Sequence, residues 1–176
     1  MTTADGLRTR DASGALTWAA VFFALTVVVH NGDHLRRGTD LVSGDVFAAG
    51  TLGIFVEVGV VALVAWRHRL APLAATVAGF SLAIGYVVVH FLPARSWLSD
   101  SFTSSASTSW MSWTAASGEI VGALALALTG LAALRAGADD QPGTMLVPGD
   151  DVVRAIAIAF AASQALTLVV SFAQRY

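Results

Sequence analysis

Residues 15–35 read ALTWAAVFFALTVVVHNGDHL. No charged side chain interrupts this run before Asp33. At 1.5 Å per residue, a helix of about 20 such residues crosses the roughly 30 Å of a bilayer's hydrocarbon core. The run ends on His30, Asn31, Asp33 and His34, so the stretch predicts a membrane-spanning helix with ligand-type side chains gathered at its C-terminal end.

Four more apolar runs of similar length follow, near 46–66, 70–92, 113–134 and 152–173. They lack the ten-residue apolar/polar alternation of transmembrane strands, and a backbone in lipid is otherwise satisfied only within a helix. The expected fold is an all-α integral membrane protein, one bundle of about five transmembrane helices over residues 1–176. Residues 1–14 are expected to form a short cytoplasmic leader. The leader carries Arg8 and Arg10, but no small-x-small cleavage site comes straight after the first run, which is therefore read as an uncleaved span and not a signal peptide.

Composition agrees. Apolar residues make up 56% of the 176 and charged ones 12%, against about 25% charged in an ordinary soluble domain. That excludes a disordered chain and a soluble nucleic-acid binder. With no cysteine, disulfides, thiolate–zinc sites and iron–sulfur clusters are also excluded. All ten basic residues are arginine, which removes Schiff-base chemistry on lysine. A net charge of −2 points to no strongly charged partner surface.

The connections at 36–44 and 67–69 are short, whereas 93–112 and 135–151 are long and read as irregular loops from their proline, glycine and serine content. Residues 99–105 are either a lid or a solvated segment. Trp18, Trp66, Trp97, Trp110 and Trp113 fall near span ends, as an interfacial belt would. Arginines near the span ends set orientation. Arg8, Arg10, Arg67, Arg69, Arg135 and Arg154 lie on one side, and Arg36, Arg37, Arg95 and Arg175 on the other. The bias favours a cytoplasmic N-terminus and an external C-terminus, in the plasma membrane of a bacterium.

Because successive spans alternate in direction, His30, Asp33 and His34 share one membrane side with His90 at the end of the third span. Glu119 enters from that side about two turns deep in the fourth span. Glu57 lies deeper, roughly 18 Å below Asp45 at 1.5 Å per residue. His30 and His34 are four apart and share a helix face. Small residues accompany these positions: Gly79 and Ala83 with Tyr86 and His90, Gly50 and Gly53 with Glu57, Gly118 and Gly122 around Glu119, and Ala157, Ala161 and Ala165 on the last span. Small residues beside an ionisable one predict faces packed against protein.

Without cysteine, a divalent metal such as zinc, iron or copper must be held by imidazole and carboxylate. His30, His34, His90, Asp33 and Glu119 supply that set. Zinc so held activates water by lowering its pKa to about 7, and iron or copper could oxidise a lipid-like substrate. The zinc-protease motif is absent, since Asn31 stands where it needs glutamate. An ionised carboxylate at mid-membrane costs roughly 2.5–3.5 kcal/mol on insertion scales, so Glu57 and Glu119 are expected to face protein and to act in acid–base or proton-relay roles.

Each of these residues has a plainer reading. Asp33 can pair with Arg36 or Arg37, the histidines can sit at a wet interface, and Glu57 can bond Gln164 or Thr26. Four functions follow from the cluster. It can be a metal site, with or without enzymatic action on a lipophilic small molecule. It can belong to a proton-coupled transporter using Glu57, which with five spans would act as a homo-oligomer. It can hold a b-type haem with axial histidines from the first and third spans. Finally, the chain can be an accessory subunit. Membrane lipids are partners in every case. Metal ligation through imidazole should fail on the acid side of about pH 6.5.

Overall fold

The computed structural model describes residues 3–38, 42–92, 99–102, 108–137 and 150–176, with side chains from residue 12 onward. Five helices account for nearly all of it: α1 (Thr3–Arg37), α2 (Gly44–Ala65), α3 (Ala71–Tyr86), α4 (Trp110–Arg135) and α5 (Asp150–Arg175). A π-helical turn, Val87–Phe91, continues α3. All five are long and apolar enough to cross a membrane, and no strand occurs among the described residues.

The helices outrun the apolar runs. α1 begins at Thr3, so most of the expected leader is helical. Lipid sets the length of the apolar stretch, whereas hydrogen bonding sets the length of the helix, and polar residues can extend it into water. α4 starts at Trp110, three residues before the expected 113, because Ser112 Oγ accepts the Ser109 backbone N–H at 3.4 Å and fixes the first turn. Ser43 caps α2, its hydroxyl accepting from the Val46 N–H at 3.2 Å. Arg95, Trp97 and residues 103–105 of the possible lid lie outside the described residues, as does most of the 135–151 loop.

α4 is the centre of the bundle, packed tightly on α1 and α3, and glycine is the reason. A Cβ on Gly122 would stand 2.5 Å from Thr26 Oγ1 and 3.1 Å from Phe23 Cα on α1. One on Gly79 would meet the Ala123 carbonyl oxygen at 2.6 Å, and one on Gly130 the Pro72 carbonyl oxygen at 2.8 Å. Such backbone-to-backbone approach is how helices associate where lipid removes the hydrophobic drive.

Not every small residue packs. Gly50 and Gly85 have nothing within 4 Å of a built Cβ, and beside Gly53 only Glu57 comes near, at 3.7 Å. The expectation that Gly50 and Gly53 mark a helix contact is therefore corrected: they face open space. On α5 the buried line is Ala157, Phe160, Gln164 and Ser171, while Ala165, expected on the packing face, is exposed.

At the end of the bundle opposite the histidines, Arg67 takes φ +50°, left-handed backbone after the α2 C-terminus. Its Nη2 donates to Asp150 Oδ1 at 2.8 Å and ties the α2–α3 turn to the start of α5. His68, to which the sequence assigned no chemistry, accepts the Leu70 N–H at 3.2 Å within this turn.

Candidate functional site

The helical repeat places His30 and His34 one turn apart on α1, and their Nε2 atoms lie 2.9 Å apart. His90 arrives from α3 through the π turn. Its ring centroid is 4.8 Å from that of His30 and 5.5 Å from that of His34. One ring nitrogen from each of the three lies within 4.8 Å of the others. A π turn carries one extra residue per turn and re-aims the side chains after it. It is held open at its C-terminal end by the incoming loop, where Asp100 N–H donates to the Val89 carbonyl and Phe102 N–H to the His90 carbonyl, both at 3.0 Å. Leu92 is then extended, as the residue before Pro93 must be.

Around the imidazoles lies a shell of paired charge. Arg37 is the hub, its side chain 2% exposed. It donates to Asp33 Oδ2 at 3.1 Å and to Asp100 Oδ2 at 2.7 Å. Arg36 takes the other Asp33 oxygen at 2.7 Å. It also reaches Ser109 and Ser112 at the start of α4, each at 3.3 Å. Two arginines thus neutralise two aspartates, and both oxygens of Asp33 are committed to cations. Asp100 is the carboxylate that faces the rings, with Oδ2 3.7 Å from His90 Nδ1 and 3.9 Å from His34 Nδ1. Phe102 stacks near His90 (4.7 Å) and beneath the Arg37 guanidinium (5.0 Å), closing the site from the loop side.

The tautomers follow from the donors. Arg37 Nη2 lies 3.0 Å from His34 Nδ1, and a guanidinium can only donate, so Nδ1 accepts. The His34 proton is then on Nε2, where it points at His30 Nε2, which must accept. His30 carries its own proton on Nδ1, and that buried atom has no partner. His30 Nε2 also lies 3.4 Å from Glu119 Oε2, another buried atom without a hydrogen bond.

Deeper in the bundle Tyr86 donates to Glu57 Oε1 at 2.7 Å and also interacts with Glu119. Polar groups therefore run in sequence from Glu57 through Tyr86 and Glu119 to His30 and His34. The partners expected for Glu57 are elsewhere. Gln164 accepts from Asn31 at 2.7 Å, and Thr26 donates to the Phe23 carbonyl of its own helix at 2.8 Å. Glu57 Oε2 has no partner. Asp100 and the bridging role of Tyr86 were not singled out from sequence. An isolated aspartate in a serine-rich loop gives no sign of folding back ten residues onto His90.

A cavity of about 230 Å³ joins these groups, lined by His30, His34, His90, Tyr86, Glu57 and Glu119 together with apolar residues of α2, α3, its π turn and α5. In a metal-bound arrangement, the roughly 3.4 Å between ligand atoms implied by zinc–nitrogen bonds of about 2.0–2.1 Å lies within a shift of little more than an ångström. His34 would have to release Arg37 and turn its Nδ1–H to Asp100, the carboxylate–histidine pairing usual for a ligated imidazole. No protein-family model, no curated protein and no solved structure matches the chain.

Proposed function

We propose that this chain binds one divalent transition-metal ion, zinc, iron or copper, through His30, His34 and His90. Glu119 serves as fourth ligand or acid–base group, and the site acts on a lipophilic molecule held in the adjoining cavity. The observation that carries the reading is two buried imidazoles, His30 and His90, and the half-buried His34, each with a ring nitrogen within 4.8 Å of the others, beside an unpartnered carboxyl oxygen. A cation would give Glu119 Oε2 the partner it lacks. Asp33, bound to two arginines, positions the helix end and is set aside as a ligand; Asp100 orients the rings. Bound zinc supplies a Lewis acid and an activated water. A small ion suits the spacing better than a haem, whose macrocycle would have to separate His30 and His90 rings that now touch edge to face. With the N-terminus cytoplasmic, the site lies in the outer half of a bacterial plasma membrane.

Elemental analysis of detergent-purified protein, with an absorption spectrum of the same sample, tests this. Near-stoichiometric metal is expected, lost in the His30→Ala/His90→Ala variant and, by proton competition, in acid. The conservative His90→Asn variant, which keeps the ring's neighbours, guards against misfolding and should also lose the metal. Metal-free protein that takes up none on dialysis against zinc or iron(II) would overturn the reading.

One observation favours a second reading, proton-linked transport: the succession of polar groups from Glu57 through Tyr86 and Glu119 to His30 and His34. Proton flux into proteoliposomes, abolished by Glu57→Gln, would select it.

A further inference from the structure

Three cavity-lining residues are exposed: Ala49 and Gly50 on α2 and Ser81 on α3. They lie within spans, whose uncovered surface meets lipid, so an opening beside them, between α2 and α3, would lead sideways into the bilayer. Glycine makes the opening. Gly50 and Gly85 have no atom within 4 Å of a built Cβ, unlike Gly79, Gly122 and Gly130, whose missing side chains are filled by neighbouring backbone. These two glycines therefore hold space, and any side chain there would take it up.

Two buried carboxyl oxygens among the polar lining have no hydrogen-bond partner: Glu57 Oε2, on a residue 4% exposed, and Glu119 Oε2, on one 1% exposed. Glu57 lies about 16 Å below Val46 along α2 at 1.5 Å per residue, deep in the membrane. Among the described residues no arginine lines the cavity, so its lining offers an anionic head no counter-charge. A hydroxyl is suited to these carboxyl groups because it both donates and accepts, and so satisfies a carboxyl oxygen in either protonation form. The apolar lining, with Val46, Phe47, Ile54, Leu82, Val89 and Leu168, suits a hydrocarbon tail.

We propose that the cavity binds an uncharged lipid alcohol which enters from the bilayer between α2 and α3, places its hydroxyl at Glu57 and Glu119, and leaves its hydrocarbon tail against the apolar lining and in the side opening. Such a molecule would be the lipophilic substrate of the metal site proposed above, yet its binding is measurable whether or not a metal is present.

The probe is an 18-carbon conjugated polyene alcohol, titrated by fluorescence into purified protein in phosphatidylcholine nanodiscs. Saturable one-to-one binding is expected. Gly50→Leu and Gly85→Leu should each weaken it at least tenfold, whereas Gly59→Leu, on the same helix as Gly50 with equally open surroundings but outside the cavity, should leave it unchanged. Glu57→Leu should weaken it while Glu57→Gln, which keeps a donor and an acceptor, retains most of it. Metal content is read on each sample. Alcohol binding by metal-free protein would keep this inference and remove the metal reading; metal without alcohol binding would do the reverse. Equal loss in Gly59→Leu, or no loss in Gly50→Leu and Gly85→Leu, would overturn the route. Equally tight binding of the same chain with a phosphate head, or of tetraphenylphosphonium, would overturn the choice of head.

Discussion

Toward the Arg67 end of the bundle, α3 and α4 approach until backbone touches backbone, with Gly79 against Ala123 and Gly130 against Pro72. Toward the histidine end the same two helices carry Tyr86, His90 and Glu119, and the space beside them is a cavity. The first region is held by dispersion between closely fitted surfaces, with the Arg67–Asp150 pair at its edge. The second buries Asp33, Arg37 and Asp100, whose charges cancel with the help of Arg36, and the carboxyl groups of Glu57 and Glu119 beside them. One half tolerates no added volume, the other no removed charge.

The largest test of this contrast is Arg37→Ala. It would strand Asp100 without its cation and leave Asp33 with Arg36 alone, and removal of one member of a buried ion network costs about 3–5 kcal/mol. Thermal unfolding in detergent should show a drop of many degrees. A loss under about 1 kcal/mol would mean that water reaches the aspartates and that the two ends differ less than their contacts imply.

Next in size is a pair of identical changes. Gly79→Ala puts a methyl 2.6 Å from the Ala123 carbonyl oxygen and should cost about 1–3 kcal/mol by overpacking. Gly59→Ala meets nothing within 4 Å and should gain up to about 1 kcal/mol from helix propensity. The same assay reads both, and equal signs would break the distinction between packed and space-holding glycines. The smallest effect belongs to Arg67→Gly. Relief of left-handed backbone, about 1–2 kcal/mol, is set against loss of the partly exposed pair with Asp150, about 0–1 kcal/mol. The net change should stay within about 1–2 kcal/mol.

The apolar runs made the five helices legible, because lipid imposes their length and leaves helix as the only backbone solution. Alternation of direction made the gathering of His30, His34, His90 and Glu119 at one end legible without any packing information. The rotation of each helix was not legible. α2 and α3 are apolar all round, so their sequences do not say which side faces protein, and Tyr86 could not be paired with Glu57 in advance. Nor does sequence separate Gly79, filled by a neighbour, from Gly85, which is not. Asp100 escaped notice because it reaches the rings through two loop-to-helix hydrogen bonds that no local pattern announces.

The π turn at Val87–Phe91 also bears on the reading frame of its own helix. A π turn takes up one more residue than an α turn, and the helix beyond it keeps its facing. Loss of a single codon among 87–89 would therefore close the bulge into an ordinary α turn and leave His90 on the same side of the helix, whereas the same loss in the regular part of α3 would swing every later position by about 100° around the axis. Length differences among relatives that keep the site are accordingly expected at 87–89 and not between Gly79 and Tyr86.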